Sequence, residues 1–291
     1  MKPRFTRFAG IDWSGAAGSR QKGIAVAICA HGIEAPLLIR AGHIWSRADV
    51  FDWLLNEMPS DTLVGFDLSP GFPFNDAGAY FPGWDQSPRD ARDLWALVDA
   101  ICVHDPHFSV NSFVNHEQAQ RYFRRQGLGI GDRFGPVPAG RLRMVEQVSR
   151  DLRLANPYSC LNLVGAAQVG KSSLTAMRMF HKMGNALPFW PFDQDPGCGS
   201  LVVEIYTSIA AIAANRSKGR SKIRSATELD DALVALESDP SPPLKAYTDH
   251  ATDAIITAAW LRKIHAEPTL WAPKAMTSKI AATEGWTFGI S

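Results

Sequence analysis

The first seventy residues alternate between short apolar runs and segments rich in turn-forming residues. The runs at 7–13, 23–30 and 35–45 predict three successive strands, and the short connections between them predict an antiparallel meander. Apolar residues at helical spacing then predict a helix at about 47–58. The nearly all-apolar run at 63–70 is typical of a central strand covered on both faces. Because it follows a helix, we expect it to lie parallel to the first strand.

The stretch from residue 71 to residue 198 has a less regular pattern. It begins with a loop rich in glycine, proline and aromatic residues, and the run at 160–165 favours a further strand. Because no linker composition separates this stretch from its neighbours, we predict an insertion or subdomain at 71–198 within a single domain that spans 1–291. Helical spacing predicts three helices in it, at about 88–104, 141–154 and 172–183.

The C-terminal third returns to a regular pattern. The apolar run at 201–208 predicts a buried strand, and helical patterns follow at about 226–238 and 248–265. Together with the first four strands, this predicts an α/β domain around a mixed five-stranded sheet. The sheet is expected to combine a three-strand antiparallel meander with two parallel strands, to be flanked by helices, and to carry a large insertion after its fourth strand.

The composition is that of a folded chain, and the charge narrows the range of partners. Of the 291 residues, 46% are hydrophobic and 20% are charged, which is enough for a substantial core. The net charge of +1 argues against a partner held by bulk electrostatics alone, so a nucleic-acid surface must come from local basic clusters. One such cluster follows the strand at 201–208, as a solvated loop or as a clamp for a phosphate backbone. Its members are Arg216, Lys218, Arg220, Lys222 and Arg224.

Cysteine usage and the lack of long apolar runs indicate the compartment. The four cysteines are far apart and show no CxxC spacing, so we expect reduced thiols, no structural zinc and no disulfide-linked partner. The basic N-terminus lacks the apolar stretch of a signal peptide, and no run of about 18 apolar residues could span a membrane. These features predict a cytoplasmic protein that has no membrane partner.

Acidic residues interrupt several runs that otherwise predict buried strands. Asp12 lies in the first strand, Asp67 in the fourth and Glu204 in the fifth. Asp249 and Asp253 share one face of the last long helix. A buried carboxylate is strongly unfavourable unless it is paired, hydrogen-bonded or bound to a metal ion. One such residue is commonly explained by a turn or a cap, but three on separate strands indicate a functional cluster.

The chemistry that such a cluster favours is the binding of hard divalent cations. Mg²⁺ and Mn²⁺ take oxygen ligands, and two of these ions a few Å apart can support phosphodiester cleavage. His250, beside the helix acids, is expected to be an ordinary helix-surface residue. The predicted metal ligands and catalytic residues are Asp12, Asp67, Glu204 and Asp253, with Asp249 as a further candidate.

The order of these features resembles the ribonuclease H-like superfamily, in which acid-bearing strands, a meander and an acid-bearing final helix follow one another. More narrowly, the chain is similar to a domain-of-unknown-function family of predicted ribonuclease H-like nucleases. The motifs that carry the resemblance are GIDWSG, VGFDLSP, GAAQVGKSSL with PFWPFD, VVEIYTS, TDHATDAIITAAWL and EGWTFGI. The resemblance implies a ribonuclease H-like sheet in which Asp12 is the ligand that bridges two metal ions. It implies that Asp67 and Glu204 are ligands from the next parallel strands, and that Asp253 or Asp249 is the helix ligand.

A second motif points to different chemistry. The segment at 165–172 fits GxxxxGK[ST], a loop whose backbone N–H groups and lysine cradle nucleotide phosphates. It lies far from the start of the α/β unit, and the acidic strand downstream of it already belongs to the carboxylate cluster. We therefore interpret the motif as a chance match, in which Lys171 and the glycine turn could still contact a substrate phosphate.

Three functions are compatible with these patterns. The leading hypothesis is a metal-dependent phosphodiesterase, a nuclease that hydrolyses nucleic acid with Mg²⁺ or Mn²⁺. The second is a nucleotide hydrolase that uses the loop at 165–172, or the turn DWSGAAGS in the manner of actin-like ATPases. The third is a non-catalytic ribonuclease H-like scaffold that binds nucleic acid or protein.

Overall fold

The computed structural model describes residues 3–154, 157–164, 169–216 and 222–291. Two sheets are formed within these ranges. The main sheet has six strands, β1 (Arg7–Asp12), β2 (Ala25–Ala30), β3 (Leu37–Leu38), β4 (Thr62–Asp67), β7 (Phe189–Trp190) and β8 (Leu201–Ile205). The second sheet is a short hairpin of β5 (Arg124–Arg125) and β6 (Gly129–Ile130).

The described ranges contain ten α-helices. They are α1 (Arg47–Asp52), α2 (Ala91–Ile101), α3 (Asn111–Asn115), α4 (Met144–Asp151), α5 (Val169–Met183), α6 (Thr207–Ala213), α7 (Ala226–Ala235), α8 (Asp249–Ile264), α9 (Pro268–Trp271) and α10 (Ser278–Thr283). A π-helical turn, Trp53–Glu57, continues α1. The helices predicted from apolar spacing correspond to α1 with this turn, α2, α4, α5, α7 and α8, and all of these predictions are confirmed.

The strand order of the main sheet is β3-β2-β1-β4-β8-β7. The strand β1 pairs antiparallel with β2, and β2 pairs antiparallel with β3, whereas β4, β8 and β7 all run parallel to β1. The predicted meander followed by two parallel strands is therefore confirmed. The prediction of five strands is wrong by one, because β7 adds a sixth strand at the edge from within the stretch 71–198.

The third strand is much shorter than the sequence pattern predicts. A strand is expected over 35–45, but β3 contains only two residues. Arg40 and Gly42 adopt positive φ angles of 51° and 83°, which turn the chain out of the extended conformation directly after the strand. The apolar residues of this region therefore continue in a turn rather than in the sheet.

The helix α8 packs across the centre of the sheet, and two glycines allow its close approach. A Cβ atom on Gly10 would lie 2.4 Å from the carbonyl oxygen of Ala254, and one on Gly65 would also collide with α8. Strand alternation places Gly10 and Asp12 on this face of β1, and Gly65 and Asp67 on the same face of β4. The ends of β1 and β4 therefore lie beside the first turns of α8.

The opposite face of the sheet packs against helices of the stretch 71–198. Phe66 of β4 contacts Phe180 of α5 with ring centroids 5.4 Å apart, and Phe180 also packs on Trp95 of α2. Phe189 of β7 belongs to the same cluster. This stretch therefore shares a hydrophobic core with the sheet, while its assignment as an insertion stays a prediction.

Neither a disulfide nor a membrane-crossing helix is found in the described part of the chain. Cys29, Cys102 and Cys160 are buried free thiols, and Cys198 is an exposed one. None of the described helices has the length and apolar character that a bilayer span requires.

Candidate functional site

Two carboxylates meet where the central parallel strands end. Asp12 is the last residue of β1, Asp67 is the last residue of β4, and the two are direct register partners. Register partners of a parallel pair point to the same face, so both side chains lie on the α8 side of the sheet. The structure thus brings together two of the residues that the sequence singles out.

Asp253 of α8 adds a third carboxylate to this pair. Burial, and after it the negative charges of Asp12 and Asp253, raise the pKa of Asp67 from 3.8 to about 8. Burial, and after it the charges of Asp12 and Asp249, raise the pKa of Asp253 to about 7. Burial also raises the pKa of Asp12. The three carboxylates therefore repel one another in a space that water screens poorly.

His250 and Thr207 contact this group directly. Nδ1 of His250 lies 2.8 Å from Oδ2 of Asp12, and this hydrogen bond raises the pKa of the histidine against the opposing effect of burial. Oγ1 of Thr207, the first residue of α6, donates to Oδ2 of Asp67 over 3.1 Å. His250 is 44% exposed, as expected for a residue on the helix surface, and its ring also contacts Asp12, which is not predicted from the sequence.

Glu204 lines the same cavity as the other acids but is paired with a buried arginine. It precedes Ile205, the register partner of Asp67, so its side chain points to the opposite face of the sheet. Its two carboxylate oxygens accept hydrogen bonds from Arg143 over 2.5 and 2.7 Å, and Oε1 also accepts from Oγ1 of Thr287 over 2.6 Å. The hypothesis that Glu204 is a metal ligand does not agree with this geometry, because its oxygens already serve a buried ion pair.

Arg143, the partner of Glu204, is the centre of a buried polar network. It is 1% exposed, and its guanidinium also donates to Oε1 of Glu146 over 3.0 Å, to Oγ of Ser69 over 3.1 Å and to the carbonyl oxygen of Glu284 over 2.9 Å. The network joins the loop after β4, the start of α4, the end of β8 and the C-terminal segment. The hydrogen bonds of Arg143 therefore hold four segments of the chain together, and these segments form one wall of the site.

Asp249 begins α8 and binds two basic side chains. Lys222 and Arg224 both form ion pairs with its carboxylate. The hydrogen bond from Arg224 is the largest cause that lowers the pKa of Asp249. Because cations of the protein already neutralise this carboxylate, its contacts favour a role in holding Lys222 at the site over a role as a metal ligand.

The other basic residues predicted to contact phosphate have different positions. Arg216 forms an ion pair with Glu228 over 3.2 Å and so connects the segment after α6 to α7. Lys218 and Arg220 lie outside the described residues. Lys222 lines the cavity at the carboxylates. Among the members of this run that the structure describes, Lys222 is thus the one placed to contact a substrate there.

The phosphate-loop motif is described only in part. Residues 165–168 lie outside the described ranges, and Lys171 lies in the first turn of α5. Its neighbour Ser172 lines the cavity, whereas Lys171 does not. The start of α5 packs tightly on the turn after β1, because a Cβ atom on Gly15 would lie 2.4 Å from the backbone nitrogen of Ser172.

The strand expected at 160–165, directly before this motif, is not formed in its described residues, 160–164. Asn162 makes only an isolated bridge to Arg124, outside the main sheet. A phosphate loop that connects a central strand to a helix needs such a strand. The described residues therefore lack this part of the arrangement.

The carboxylates and their neighbours line a cavity of about 620 Å³. Tyr206, whose pKa is raised by burial, also lines the cavity. One end is lined by Asp12, Asp67, Asp253, His250 and Lys222. The other end is lined by α4 and the segment after it, with Val145, Glu146, Ser149, Pro157 and Tyr158.

The donor chemistry of the first end fits a hard divalent cation. Asp12, Asp67 and Asp253 offer carboxylate oxygens, and a cation would relieve the repulsion that raises the pKa of Asp67 and Asp253. No group of three or more His, Cys, Asp and Glu side chains in the described ranges is placed to hold a metal ion as it stands. Binding of a cation would therefore require the carboxylates to move closer together.

The predictions from the sequence do not identify Thr207 or Arg143 as contributors to this site, and they do not assign His250 to it. His250 and Asp253 are three residues apart, so they share a helix face, and this spacing could have identified the histidine. Thr207 directly follows the acid-bearing strand β8, but only the sheet order shows that it contacts Asp67. Arg143 has no signal in the sequence, because its partner Glu204 is 61 residues away.

The raised pKa of Asp67 predicts a pH-dependent cost to stability. Between pH 4 and pH 8 the folded protein holds a proton on Asp67 that the unfolded chain releases, so the stability of the cation-free protein falls as pH rises through this window. Asp67→Asn is therefore expected to raise the free energy of unfolding at pH 8 by about 1 kcal/mol or more, and by much less at pH 4. Urea denaturation at both pH values, with EDTA present, measures the difference.

At pH 8, addition of Mn²⁺ should make the free energy of unfolding of the wild type larger than that of Asp67→Asn. The wild type is expected to gain stability from the cation, and Asp67→Asn is expected to gain little, since it lacks an anionic ligand. An effect of Asp67→Asn that is the same at pH 4 and pH 8 would contradict the assignment of Asp67 to a repelling carboxylate group.

Comparisons with protein-family models, with curated proteins and with solved structures find no match for this chain. The resemblance to ribonuclease H-like nucleases therefore stays a prediction that rests on the motifs and on the order of the acid-bearing elements.

Proposed function

We propose that this chain is a divalent-cation-dependent phosphodiesterase that acts on nucleic acid, with a ribonuclease H-like fold. The observation that carries the proposal is the convergence of Asp12, Asp67 and Asp253 on one cavity, with burial and mutual repulsion raising the pKa of Asp67 and Asp253. Such an arrangement is unfavourable without a cation, and it sits at the carboxyl ends of parallel strands, where α/β sheets commonly carry their sites.

The order of the strands supports the ribonuclease H-like part of the proposal. Five of the six strands follow the order β3-β2-β1-β4-β8, with an antiparallel meander followed by parallel strands. Acids end β1 and β4, and the helix α8 that carries the third acid packs against them. These are the features on which the resemblance rests, and β7 extends the same sheet at its edge.

In this proposal Asp12, Asp67 and Asp253 would hold Mg²⁺ or Mn²⁺. A bound cation would supply an activated water and charge stabilisation of the leaving oxygen. Thr207 orients Asp67 through its hydroxyl, and His250 orients Asp12 by donating Nδ1–H to Oδ2.

The basic side chain at the cavity supports a phosphate-bearing substrate. Lys222 is 67% exposed, lines the cavity and is held there by Asp249. Its ammonium can pair with a phosphate oxygen of the substrate, and the carboxylates alone would repel such a substrate. Asp249 acts in this proposal as a positioning residue for Lys222, and Glu204 acts as the partner of Arg143.

The test is a hydrolysis assay with single-stranded and duplex DNA, single-stranded and duplex RNA, and methyl p-nitrophenyl phosphate, a diester that carries no base. Cleavage of at least one substrate is expected with Mn²⁺ or Mg²⁺, and EDTA should abolish it. Absence of cleavage for all five substrates would contradict the proposal. In that case, retained binding of nucleic acid would favour the non-catalytic scaffold.

No observation favours the nucleotide hydrolase as a second proposal. The described residues 160–164 do not form the strand that a phosphate loop requires. Ser172 at the start of α5 lines the same cavity as the carboxylates. A phosphate contact at that helix end would therefore belong to the phosphodiesterase site.

A further inference from the structure

The end of the cavity away from the carboxylates has the features of a separate binding subsite. Val145 and Pro157 contribute apolar wall, and Tyr158 is 57% exposed. An exposed tyrosine at the wall of a cavity offers a flat surface on which a planar ligand can stack. The carboxylate chemistry gives no reason for such a surface, because it uses only the opposite end.

One buried hydroxyl at this end has no hydrogen-bond partner among the described residues. Ser149 lines the cavity and is 1% exposed, yet its Oγ makes no hydrogen bond. Two other helical hydroxyls bond to the preceding turn, since Ser173 donates to the carbonyl oxygen of Val169 and Thr252 to that of Thr248. The hydroxyl of Thr257 in α8 is also buried without a partner among the described residues, but Thr257 does not line the cavity. A buried hydroxyl without a partner is unfavourable, so Ser149 indicates a ligand that supplies one.

The size and the polarity of the cavity fit one nucleotide unit. A volume of about 620 Å³ lies within the range of small-molecule sites. Tyr206, Thr207 and Ser208 also line the cavity, and the hydroxyl of Thr207 binds Asp67. With the phosphate of a nucleotide at the carboxylates, its base is left for the part of the lining formed by Ser149 and Tyr158.

We propose that this end of the cavity binds the nucleobase adjacent to the phosphodiester that is cleaved, with the base stacked on Tyr158 and a polar edge hydrogen-bonded to Ser149 Oγ. The proposal rests on the proposed function, because it places the phosphate at the carboxylate end. A serine hydroxyl both donates and accepts, so it can pair with any base. The substrate class is therefore a single-stranded or terminal nucleotide without strong sequence preference.

The test compares adenosine 5′-monophosphate with ribose 5-phosphate, which lacks only the base, by isothermal titration in the presence of Mn²⁺. The nucleotide is expected to bind at least about 10-fold more tightly to the wild type, since stacking and one hydrogen bond are added. Tyr158→Ala should remove most of this preference, and Ser149→Ala should reduce it by about 3-fold or more. Tyr158→Phe should retain it, because the ring is kept.

Ser109→Ala is the matched control for Ser149→Ala. The hydroxyl of Ser109 is also buried and without a hydrogen bond in the described chain, but Ser109 does not line the cavity. Its substitution should leave the preference for the nucleotide unchanged. A loss of equal size in both serine variants would mean that a general change in stability, and not a lost contact, causes the effect.

Equal affinity of the two ligands for the wild type would overturn the subsite, and so would a preference that survives in Tyr158→Ala and Ser149→Ala. Failure of both ligands to bind would overturn it as well. Hydrolysis of methyl p-nitrophenyl phosphate separates this result from the proposed function. If that diester is cleaved while the base has no effect, only the subsite is wrong. If the nucleotide is preferred but no diester is cleaved, the cavity binds a nucleobase and the proposed function is wrong.

Discussion

Asp12→Asn is expected to lower the rate of phosphodiester hydrolysis by about 1,000-fold or more while the fold stays intact. Asp12 ends β1, faces Asp67 across the sheet register and binds His250. The amide lacks the anionic oxygen that a hard cation prefers, and a loss of about 4 kcal/mol of transition-state stabilisation corresponds to this factor. The measurement is the initial rate with Mn²⁺ on the best substrate of the wild type, together with a thermal unfolding curve.

The matched control is Asp85→Asn, at an exposed aspartate that does not line the cavity. It should retain the wild-type rate. Because burial raises the pKa of Asp12, the amide should not weaken the cation-free fold. A hydrolysis rate of Asp12→Asn equal to that of Asp85→Asn would contradict the proposed carboxylate site.

Arg143→Ala is expected to destabilise the protein by about 3–5 kcal/mol, because it leaves Glu204 and Glu146 buried without their cation. Both glutamates are almost completely buried, so water cannot replace the lost contacts. For a chain of this size, the midpoint of thermal unfolding should fall by about 6 °C or more. Differential scanning calorimetry at pH 7 measures the change.

Two further variants separate the buried charge from the loss of side-chain volume. Arg121→Ala removes a partly exposed arginine that pairs with Asp132 over 2.6 Å, and it should destabilise the protein far less than Arg143→Ala. The double variant Arg143→Met with Glu204→Gln removes one charge from each partner, so it should be more stable than Arg143→Ala. If Arg143→Ala costs no more than Arg121→Ala, the network does not hold this wall of the site.

The core of the fold could be predicted from the sequence because its signals are local. Six helices have apolar spacing that the structure confirms, and the meander follows from short connections between apolar runs. The strand β7 could not be predicted, because Phe189–Trp190 is too short to show a period of two. The end of β3 could not be predicted either, because Arg40 has a positive φ angle and arginine is not a residue type that favours one.

The carboxylate site could be predicted only in part, and Glu204 shows why. Asp12, Asp67 and Glu204 all interrupt apolar runs, so the sequence pattern predicts the same role for each of them. The register of β8 against β4 places Ile205, and not Glu204, opposite Asp67. A shift of one residue moves a side chain to the other face of a sheet, and this shift depends on packing across the whole sheet. Helix spacing places Asp253 and Asp249 on one face and does not choose between them, whereas the ion pairs of Asp249 with Lys222 and Arg224 distinguish the two in the structure.

The most direct test of the cation site is an anomalous difference map from crystals of the protein soaked in Mn²⁺. We expect one or two peaks among Asp12, Asp67 and Asp253, with Glu204 still paired to Arg143. No peak at these three carboxylates, or a peak only at the segment 165–172, would contradict the proposed cation site.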